Sequence, residues 1–544
     1  MDVASGSIFC QIFLALGRLL ALSWEECGLN RFLRFLARAG RQSLTGRVCR
    51  AVSDRWKAWW HGSVLVRFFF EKEGLLPRSW PGSGVYRFLS LLVNLPAAVL
   101  HWVYVKLRPC FDSSFFASLA FGLGEQVPIA AGWLMLAVMN IDYSMWSNGY
   151  SLVGFAAILL LFVAGGMRRR SLRLDLAGAG LYPMLFFLAV CLSWPLSCYP
   201  ELSGRYLPYH ITCALCVVLT VSAVERADQL ERLAVFGCLG MAGAAAYGVY
   251  QRFLGIIAVD IAYVDLTVNP DMPGRIFSYY QNSNAFSEML VCLIPVAVGL
   301  VIGAKKPVNR FLGFVCAVLG GTALVMTYGR ASWIGLAIAA LIFLFFWKRS
   351  WIPVCLAAAV ILLPFLPAGV LQRIASIFNP HDSSTTSRIP LMQAGLRMIK
   401  ASPIRGAGLG ADAVRKLAVD INAMAANGQF THSHNLYLQL WLEHGLLGLA
   451  TFLAGGWHML KQGARAFQSS HAPRLPRFIA LGAASALAGS LVSGFADYLF
   501  TYPRVMLIFW FSASLLLAGA KLTRRSQRAG FYGSPQKYRQ ASQL

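Results

Sequence analysis

Two segments decide how this chain is organised: TTSRIPLMQAGLRMIKASPIRGAGLG (Thr385–Gly410) and HSHNLYLQLWLEHGLLGL (His432–Leu449). They lie within residues 371–449, the only long interval of mixed polarity between two strongly apolar regions. The interval gathers arginines, histidines and a glycine-rich turn, whereas the surrounding sequence consists mainly of apolar residues. The pattern predicts a polar loop that carries the chemistry, held in place by segments that lie in lipid.

The composition of the chain indicates a membrane protein. Of its 544 residues, 57% are hydrophobic and only 13% are charged, compared with roughly 25% charged in soluble domains. Apolar runs of the length that a helix needs to cross the hydrocarbon core recur along the sequence. We therefore predict an all-α polytopic membrane protein. The formal charge of +25 fits basic cytoplasmic loops, so nucleic acid is not expected as a partner.

The apolar runs predict about twelve transmembrane helices. A large loop, residues 370–434, separates the ninth crossing from the tenth. The predicted crossings lie near residues 122–142, 149–167, 176–195, 206–224, 233–254, 283–303, 311–328, 331–347, 351–369, 436–460, 478–499 and 503–521.

Basic residues alternate between the loops, and this alternation predicts the orientation of the chain. Loops after even-numbered crossings are rich in lysine and arginine, whereas short loops after odd-numbered crossings carry single arginines, such as Arg275 and Arg330. Cytoplasmic loops of membrane proteins carry the excess of positive charge. We therefore expect both termini in the cytoplasm, the loop 370–434 on the outer side of the inner (cytoplasmic) membrane, and an extracytoplasmic active site.

The first 112 residues differ from the rest of the chain. Fifteen lysines or arginines lie between Arg18 and Arg108, interleaved with aromatic residues as in DRWKAWWHGS (Asp54–Ser63). This spacing predicts amphipathic helices on an anionic membrane surface. We predict that residues 1–112 form a basic cytoplasmic or interfacial region, residues 113–521 the transmembrane domain and residues 522–544 a basic cytoplasmic tail. The segment Val85–Val105 is expected to be interfacial or re-entrant, with a full crossing as the alternative.

Three arginines on the predicted outer face are candidates for binding a diphosphate. Arg275 precedes the sixth crossing, Arg330 lies between the seventh and eighth, and Arg388 opens a predicted amphipathic helix. Arginine stays charged and its planar guanidinium can bind two phosphate oxygens at once. The alternative for each is that it snorkels at the bilayer edge. The apolar stripe of the predicted helix comprises Ile389, Met392, Leu396 and Ile399.

His434, at the predicted start of the tenth crossing, is the candidate general base. Imidazole titrates near neutral pH and can take a proton from a hydroxyl; the alternative is a hydrogen-bonded interfacial histidine. His432 lies two residues away, but no carboxylate-rich motif accompanies the pair, so we predict no metal. Glu443 is expected to orient a partner within the bundle, because a charge there needs pairing. The segment PIRGAGLGA (Pro403–Ala411) follows a helix rather than a strand, which predicts a tight turn and not a nucleotide-binding loop.

Four motifs taken together resemble the O-antigen ligase and O-antigen polymerase superfamily. Their order and spacing, with a large outer loop before the histidine helix, are similar to that family over residues 120–520. The motifs are RIFSYYQNSNAFSEML (Arg275–Leu290), TYGRASWIGL (Thr327–Leu336), SRIPLMQAGLRMIKASPIRGAGLG (Ser387–Gly410) and HNLYLQLWLEHGLLGL (His434–Leu449).

The resemblance implies a GT-C-like integral membrane glycosyltransferase that needs no metal or other cofactor. Such an enzyme transfers a glycan from undecaprenyl diphosphate to a hydroxyl of a glycan, lipid or protein acceptor, at the outer face of the membrane. The product would be a cell-envelope polysaccharide such as lipopolysaccharide or exopolysaccharide. By the same resemblance, the catalytic residues are Arg330, Arg388 and His434. The substrate-binding candidates are Arg275, Asn284, Asn435 and Glu443.

Two alternatives remain open at the level of sequence. The enzyme could be a polymerase that extends the glycan on its lipid carrier, because no motif in the sequence indicates which sugar or acceptor is bound. A protein of another class, a transporter or lipid-carrier flippase, would need charged side chains along a path through the bilayer. The predicted crossings are poor in such charges, which favours the enzyme.

Overall fold

A computed structural model describes residues 35, 39, 42–62, 75–170, 172–257, 274–379, 386–424 and 430–532. The chain divides by its contacts into two units, residues 1–78 and residues 79–544. Much of the predicted N-terminal amphipathic region and the end of the C-terminal tail lie outside the described residues. The boundary between the units precedes the predicted boundary at residue 112, because the helix Gly84–Lys106 packs within the second unit.

The described helices of the first unit are α1 (Leu44–Gly62) and a short helix, α2 (Leu75–Ser79), that runs into the second unit. Along α1, Leu44, Val48, Val52 and Trp59 are all exposed. At 100° per residue these four positions fall within one quadrant of the helix. The helix is therefore amphipathic, as the sequence predicts, while its place on a membrane surface stays a prediction.

The second unit is helical in each of its regular elements that the structure describes. Its first half contains α3 (Gly84–Lys106), α4 (Arg108–Ser113), α5 (Phe115–Glu125), α6 (Val127–Asn140), α7 (Asn148–Arg168), α8 (Leu176–Ala179), α9 (Leu181–Leu196), α10 (Pro200–Ser203), α11 (Leu207–Ala223) and α12 (Ala227–Leu254).

The second half of this unit contains the longest helices. They are joined by short 3-10 turns at Arg349–Trp351, Leu363–Phe365, Ser376–Phe378 and Leu499–Thr501. The α-helices are α13 (Ser283–Gly303), α14 (Pro307–Met326), α15 (Arg330–Lys348), α16 (Ile352–Leu362), α17 (Ala368–Ala375), α18 (Arg388–Ala401), α19 (Gly410–Asp420), α20 (Leu436–Gln468), α21 (Arg474–Ser493) and α22 (Pro503–Tyr532).

Three helices form the centre of the second unit: α13, α21 and α22. The apolar stretch of α22 is completely buried, and those of α13 and α21 are 83% buried. Small residues let the backbones approach closely, as is typical of helices packed in membranes. A Cβ added at Gly482 of α21 would collide with the Pro295 carbonyl oxygen of α13, and one at Gly489 with the Gly335 carbonyl oxygen of α15.

The predicted count of twelve crossings is not confirmed. The described part of the chain has nine helices long and apolar enough to cross a membrane, or ten if the bent pair α5 and α6 forms one span. Helix α9 has only 16 residues, α20 is interrupted at Gly445, and the eighth and ninth predicted crossings form one helical run, Arg330–Phe365. Helix α3, expected to be interfacial, is one of the nine.

The chain turns back on itself between α15 and α17. A straight helix over the 36 residues of this run would be about 54 Å long. Nevertheless, Arg330 at its beginning donates a hydrogen bond to the carbonyl oxygen of Ser376, at 2.9 Å. The polar interval after residue 370 therefore starts at the same level as the beginning of α15.

The interval 371–435 contains the predicted amphipathic helix, which begins at Arg388 as expected. Within its predicted apolar stripe, Ile399 is buried, whereas Ile389 and Leu396 are 47% and 46% exposed. The helix instead buries small side chains together with Met398 and Ile399. It packs on α20, where close approach to the helix favours alanine and glycine over leucine.

The glycine-rich turn is a structural element that joins this interval to α20. The backbone of α20 breaks at Gly445, whose φ is +66°. In the gap, Leu446 donates to the carbonyl oxygen of Ile404 at 3.2 Å, and Ala407 donates to that of Leu442 at 2.7 Å. Because the turn completes the hydrogen bonds that the kink leaves open, it is a backbone clamp, as its position after a helix predicts.

Candidate functional site

Four arginines and one aspartate line a cavity of about 260 Å³ at the ends of several helices. We call this space the arginine cavity. Of the predicted site residues, Arg275, Asn284, Arg330, Arg388 and His434 all line it. They are separated by up to 159 positions in the sequence, so the fold brings together what the sequence only suggests. The other lining residues are Asn282, Gly329, Ala331, Ser332, Arg373, Ser387 and Asp497.

Two of the arginines are fixed by the backbone at the junction of α14 and α15. Arg275 Nε donates to the carbonyl oxygen of Thr327 at 2.7 Å, and Arg373 Nε donates to that of Tyr328 at 3.0 Å. Both side chains are more than 90% buried. Burial first, and then the charge of Arg373, lower the pKa of Arg275 from its ordinary value, whereas Asp497 opposes this effect. The cavity thus has a rigid, strongly electropositive floor.

The other two arginines open helices at the rim of the cavity. Arg330 is the first residue of α15 and donates to both the carbonyl oxygen and the hydroxyl of Ser376. Arg388 is the first residue of α18 and donates to the carbonyl oxygen of Ala496 at 2.5 Å. The free backbone N–H groups at a helix N-terminus add partial positive charge, so both positions favour an anion.

Asp497 is the centre of the polar contacts in the arginine cavity. Its carboxylate accepts a hydrogen bond from Asn284 at 3.0 Å and faces the Arg388 guanidinium at 3.9 Å. His434 Nδ1 lies 3.2 Å from the other carboxylate oxygen. Burial alone would raise the pKa of Asp497, but the hydrogen bond with His434 and the charge of Arg388 outweigh it and hold the pKa well below its ordinary value. Asp497 is therefore ionised at neutral pH.

This ionised carboxylate decides the tautomer of His434. An ionised carboxylate only accepts hydrogen bonds, so the neutral imidazole carries its proton on Nδ1 and leaves Nε2 able to accept one. The backbone at His434 is also unusual, with φ at +48° in the left-handed region, which costs a non-glycine residue of order 1–3 kcal/mol. Strain of this kind clusters at functional sites.

The same side chains could in principle hold a cation. His432, His434 and Asp497 offer donor atoms within 4.8 Å of one another, a set that suits a divalent metal. Asp497 is, however, engaged by Asn284 and faces Arg388. The nearby arginines repel a further positive charge, because like charges at short range in a poorly solvated site interact strongly. We therefore interpret the group as a histidine–aspartate pair that handles a proton.

Two predicted site residues lie away from the arginine cavity. Asn435 caps α20, accepting hydrogen bonds from the N–H groups of Tyr437 and Leu438. Glu443 lines a second cavity, where its carboxylate accepts hydrogen bonds from Gln439 and from the N–H of Gly410. Glu443 thus has the orienting contacts that a charge within the bundle requires, whereas Asn435 has a capping position.

Sequence reasoning missed Asp497 and Arg373. Asp497 had a clear signal, because no other Asp or Glu follows Glu443 in the chain, and a lone charge among apolar segments indicates function. Arg373 had no comparable signal, since a single arginine at the start of a polar interval is ordinary. Asn282 and Ser387 were visible only as neighbours of Asn284 and Arg388.

The comparison with protein families agrees with these motifs. Residues 315–453 match the family model described as O-antigen ligase. Over these residues the chain belongs to the O-antigen ligase superfamily. The O-antigen ligase domain contains Arg330, Arg373, Arg388 and His434, whereas Asp497 lies outside the matched segment. No curated protein matches the chain.

The family assignment and the fold together define the protein at a general level. In the part that the structure describes, it is a helical membrane protein, and its matched domain is like those of glycan-handling O-antigen ligases and polymerases. The match covers less than half of the 544 residues. The complete arginine cavity, with Arg275 from one side and Asp497 from the other, is assembled only by the longer chain.

Proposed function

We propose that this protein transfers a glycan from undecaprenyl diphosphate to an acceptor hydroxyl at the outer face of the inner membrane. The observation that carries the proposal is the pairing of four arginines with a His434–Asp497 pair in one cavity. Arginine guanidinium groups bind phosphate oxygens strongly, and an oriented histidine is the usual general base. The arrangement suits a reaction whose leaving group is a diphosphate.

The transfer step needs a general base for the acceptor hydroxyl and cationic groups that stabilise the negative charge of the leaving diphosphate. His434 Nε2 takes the proton of the acceptor hydroxyl, whose oxygen then forms a bond to the anomeric carbon. The bond between that carbon and the phosphate oxygen breaks, and its electron pair leaves with the undecaprenyl diphosphate. Arg330 and Arg388 stabilise the negative charge that develops on this leaving group. Asp497 stabilises the imidazolium that forms on His434.

The charge balance of the cavity supports an anionic substrate. Among the described residues that line the cavity, four are arginines and one is an aspartate. A diphosphate ester suits this lining, because its negative oxygens can accept from several guanidinium groups at once. The same lining is unfavourable for a cation.

The test is transfer by the purified protein in liposomes without an ion gradient. We expect glycan transfer from a purified undecaprenyl-diphosphate donor in the presence of EDTA, and a loss of about 10²–10⁴ in rate for His434→Ala. His471→Ala, which alters an exposed histidine, is the matched control and should transfer normally. Near-normal transfer by His434→Ala would contradict the base, and ion-coupled flux without transfer would contradict the enzyme.

The acceptor decides between a ligase and a polymerase. A ligase attaches the glycan to a different molecule, whereas a polymerase adds it to another lipid-linked copy. Mass analysis of surface glycans from a deletion strain distinguishes them. Loss of attachment with chain length preserved indicates a ligase, and loss of chain length indicates a polymerase.

A further inference from the structure

A second cavity, of about 290 Å³, lies beside the arginine cavity. Its walls come from the N-terminal parts of α11, α19, α20 and α22 and from the turn Leu499–Thr501. His432 lines this cavity and His434 lines the arginine cavity, and their ring centroids are 4.0 Å apart. The histidine pair therefore stands between the two spaces. We call the second space the tyrosine cavity.

The tyrosine cavity has the lining that a sugar ring requires. Aromatic side chains form much of its wall, and the C–H face of a pyranose packs against such rings. Polar side chains lie among them, and sugar hydroxyls need both donors and acceptors. The aromatic residues are Tyr206, Tyr209, Tyr498 and Phe500, and the polar residues include His210, Arg415, Thr431, His432 and Thr501.

Two of these polar side chains have hydrogen-bonding capacity left over. His210 is only 6% exposed, and its Nδ1 has no hydrogen-bond partner among the described residues. The buried hydroxyl of Thr501 likewise lacks one in the part of the chain that the structure covers. Buried polar atoms in folded proteins nearly always have a partner. Both side chains line the tyrosine cavity, and a small rotation of either would let a bound hydroxyl supply this partner.

The wall itself is held rigidly. Glu443 binds Gln439 at 3.0 Å and the N–H of Gly410 at 3.1 Å, and all three residues are buried. One carboxylate oxygen thus connects α20 with α19, and the other is held by Gln439 one turn earlier on α20. A site preorganised in this way loses less entropy when a ligand binds.

We propose that the tyrosine cavity binds a pyranose ring of the acceptor and presents its hydroxyl to His434. This inference rests on the proposed function, for which it names the acceptor as a sugar. In an in-line displacement, the attacking hydroxyl and the leaving diphosphate lie on opposite sides of the anomeric carbon. With the diphosphate on Arg330 and Arg388, the acceptor lies on the side of His432. Tyr209 and Thr501, which line the tyrosine cavity and not the arginine cavity, determine which sugar fits.

The cavity is poorly suited to the diphosphate itself. Its one arginine, Arg415, has a side chain that is 55% exposed and faces Asp412 at 3.6 Å. A single exposed arginine that is already near a carboxylate holds a diphosphate weakly. Charge therefore separates the two spaces, with the carrier phosphates in the arginine cavity and neutral sugar in the tyrosine cavity.

The binding test uses the detergent-purified full chain and methyl glycosides of glucose, galactose and mannose. Saturation-transfer NMR should detect at least one of them at millimolar concentration. We expect the signal to fall several-fold in Tyr209→Leu and in the near-isosteric Thr501→Val. The matched controls are Tyr150→Leu and Thr451→Val, both outside the cavity, and Arg330→Ala, which alters only the arginine cavity.

The outcomes separate this inference from the proposed function. Binding that is lost in Tyr209→Leu and Thr501→Val but kept in the three controls supports the sugar site. No signal from any glycoside, or equal signals from the cavity variants and the controls, overturns it. A transfer assay provides the second readout: the acceptor KM should rise in Thr501→Val while the donor KM stays constant. Absence of any transfer by the wild-type protein contradicts the proposed function and leaves the binding result to decide the sugar site.

Discussion

At the scale of single residues, Asp497 connects three of the residues that line the arginine cavity. Its buried carboxylate orients His434, accepts from Asn284 and faces Arg388. Conservative substitutions around it should separate the effect of charge from that of geometry.

Arg388 provides the first such test. We expect Arg388→Lys to lower glycan transfer by about 10²–10³, because an ammonium keeps the charge but not the planar pair of donors. Arg397→Lys is the matched control, since Arg397 lies on the exposed face of the same helix. Transfer rates of both variants in liposomes give the comparison. Equal rates would show that Arg388 acts only as a point charge.

His432 provides a test through pH. Burial, followed by the charge of His434, lowers the pKa of His432 to about 4, compared with about 6.5 in an unfolded chain. The unfolded state therefore binds this proton more readily, so stability should fall as pH drops from about 6.5 to about 4. Asp497 titrates below this window because its pKa is depressed.

The measurement is the thermal unfolding midpoint of the detergent-solubilised protein between pH 7 and pH 4.5. His432→Gln should lose less stability over this range than the wild-type protein. His471→Gln, at an exposed position, should follow the wild-type curve. Parallel curves for all three proteins would contradict a buried neutral His432.

At the scale of elements, the kink in α20 requires a backbone conformation at Gly445 that other residues rarely adopt. Gly445 has φ at +66°, and a Cβ there would collide with the Ile404 carbonyl oxygen. We expect Gly445→Ala to destabilise the fold by at least about 1–3 kcal/mol. Gly321→Ala on α14 is the control, because no atom lies within 4 Å of the added Cβ; it should be neutral or stabilise by up to about 1 kcal/mol. The measurement is the thermal unfolding midpoint of both variants, and equal midpoints would contradict the requirement for glycine at position 445.

The sequence predicted some elements better than others, for physical reasons. Helix α13 was placed at residues 283–303 and occupies Ser283–Gly303, because a continuous apolar run with an Asn cap has few alternatives. The predicted ninth crossing corresponds to α16 but was not confirmed as a separate span, since apolar periodicity does not show where a run bends. Burial along α18 could not be predicted from its apolar stripe, because the helix buries its small residues against α20 and leaves Leu396 exposed.

At the scale of the whole molecule, the site could be predicted only in part. Arg275, Arg330, Arg388 and His434 were chosen from charge and position, and the fold brings them into one cavity. Asp497 joins them from beyond the matched family segment, through a contact that no local spacing encodes. The tyrosine cavity is lined by residues of four helices that are distant in sequence, so no single sequence motif predicts it.

The orientation of the chain in the membrane is open to a direct test. The distribution of basic residues predicts a cytoplasmic C-terminus and an outer location for α19. A green fluorescent protein fused after Leu544 should fluoresce, because this reporter matures only in the cytoplasm. An alkaline phosphatase fused after Val419, which is 74% exposed, should be active because it functions only outside. The opposite pair of results would reverse the predicted orientation.

The central position of α22 also governs how this protein is made. Its apolar stretch is completely buried, yet it leaves the ribosome after α13 and α21. The helices α13 and α21, which pack around it, must wait in the bilayer with their inner faces covered by lipid or by an insertion factor. Asp497, just ahead of α22, reaches the arginine cavity equally late. The arginine cavity therefore stays incomplete until α22 joins the bundle.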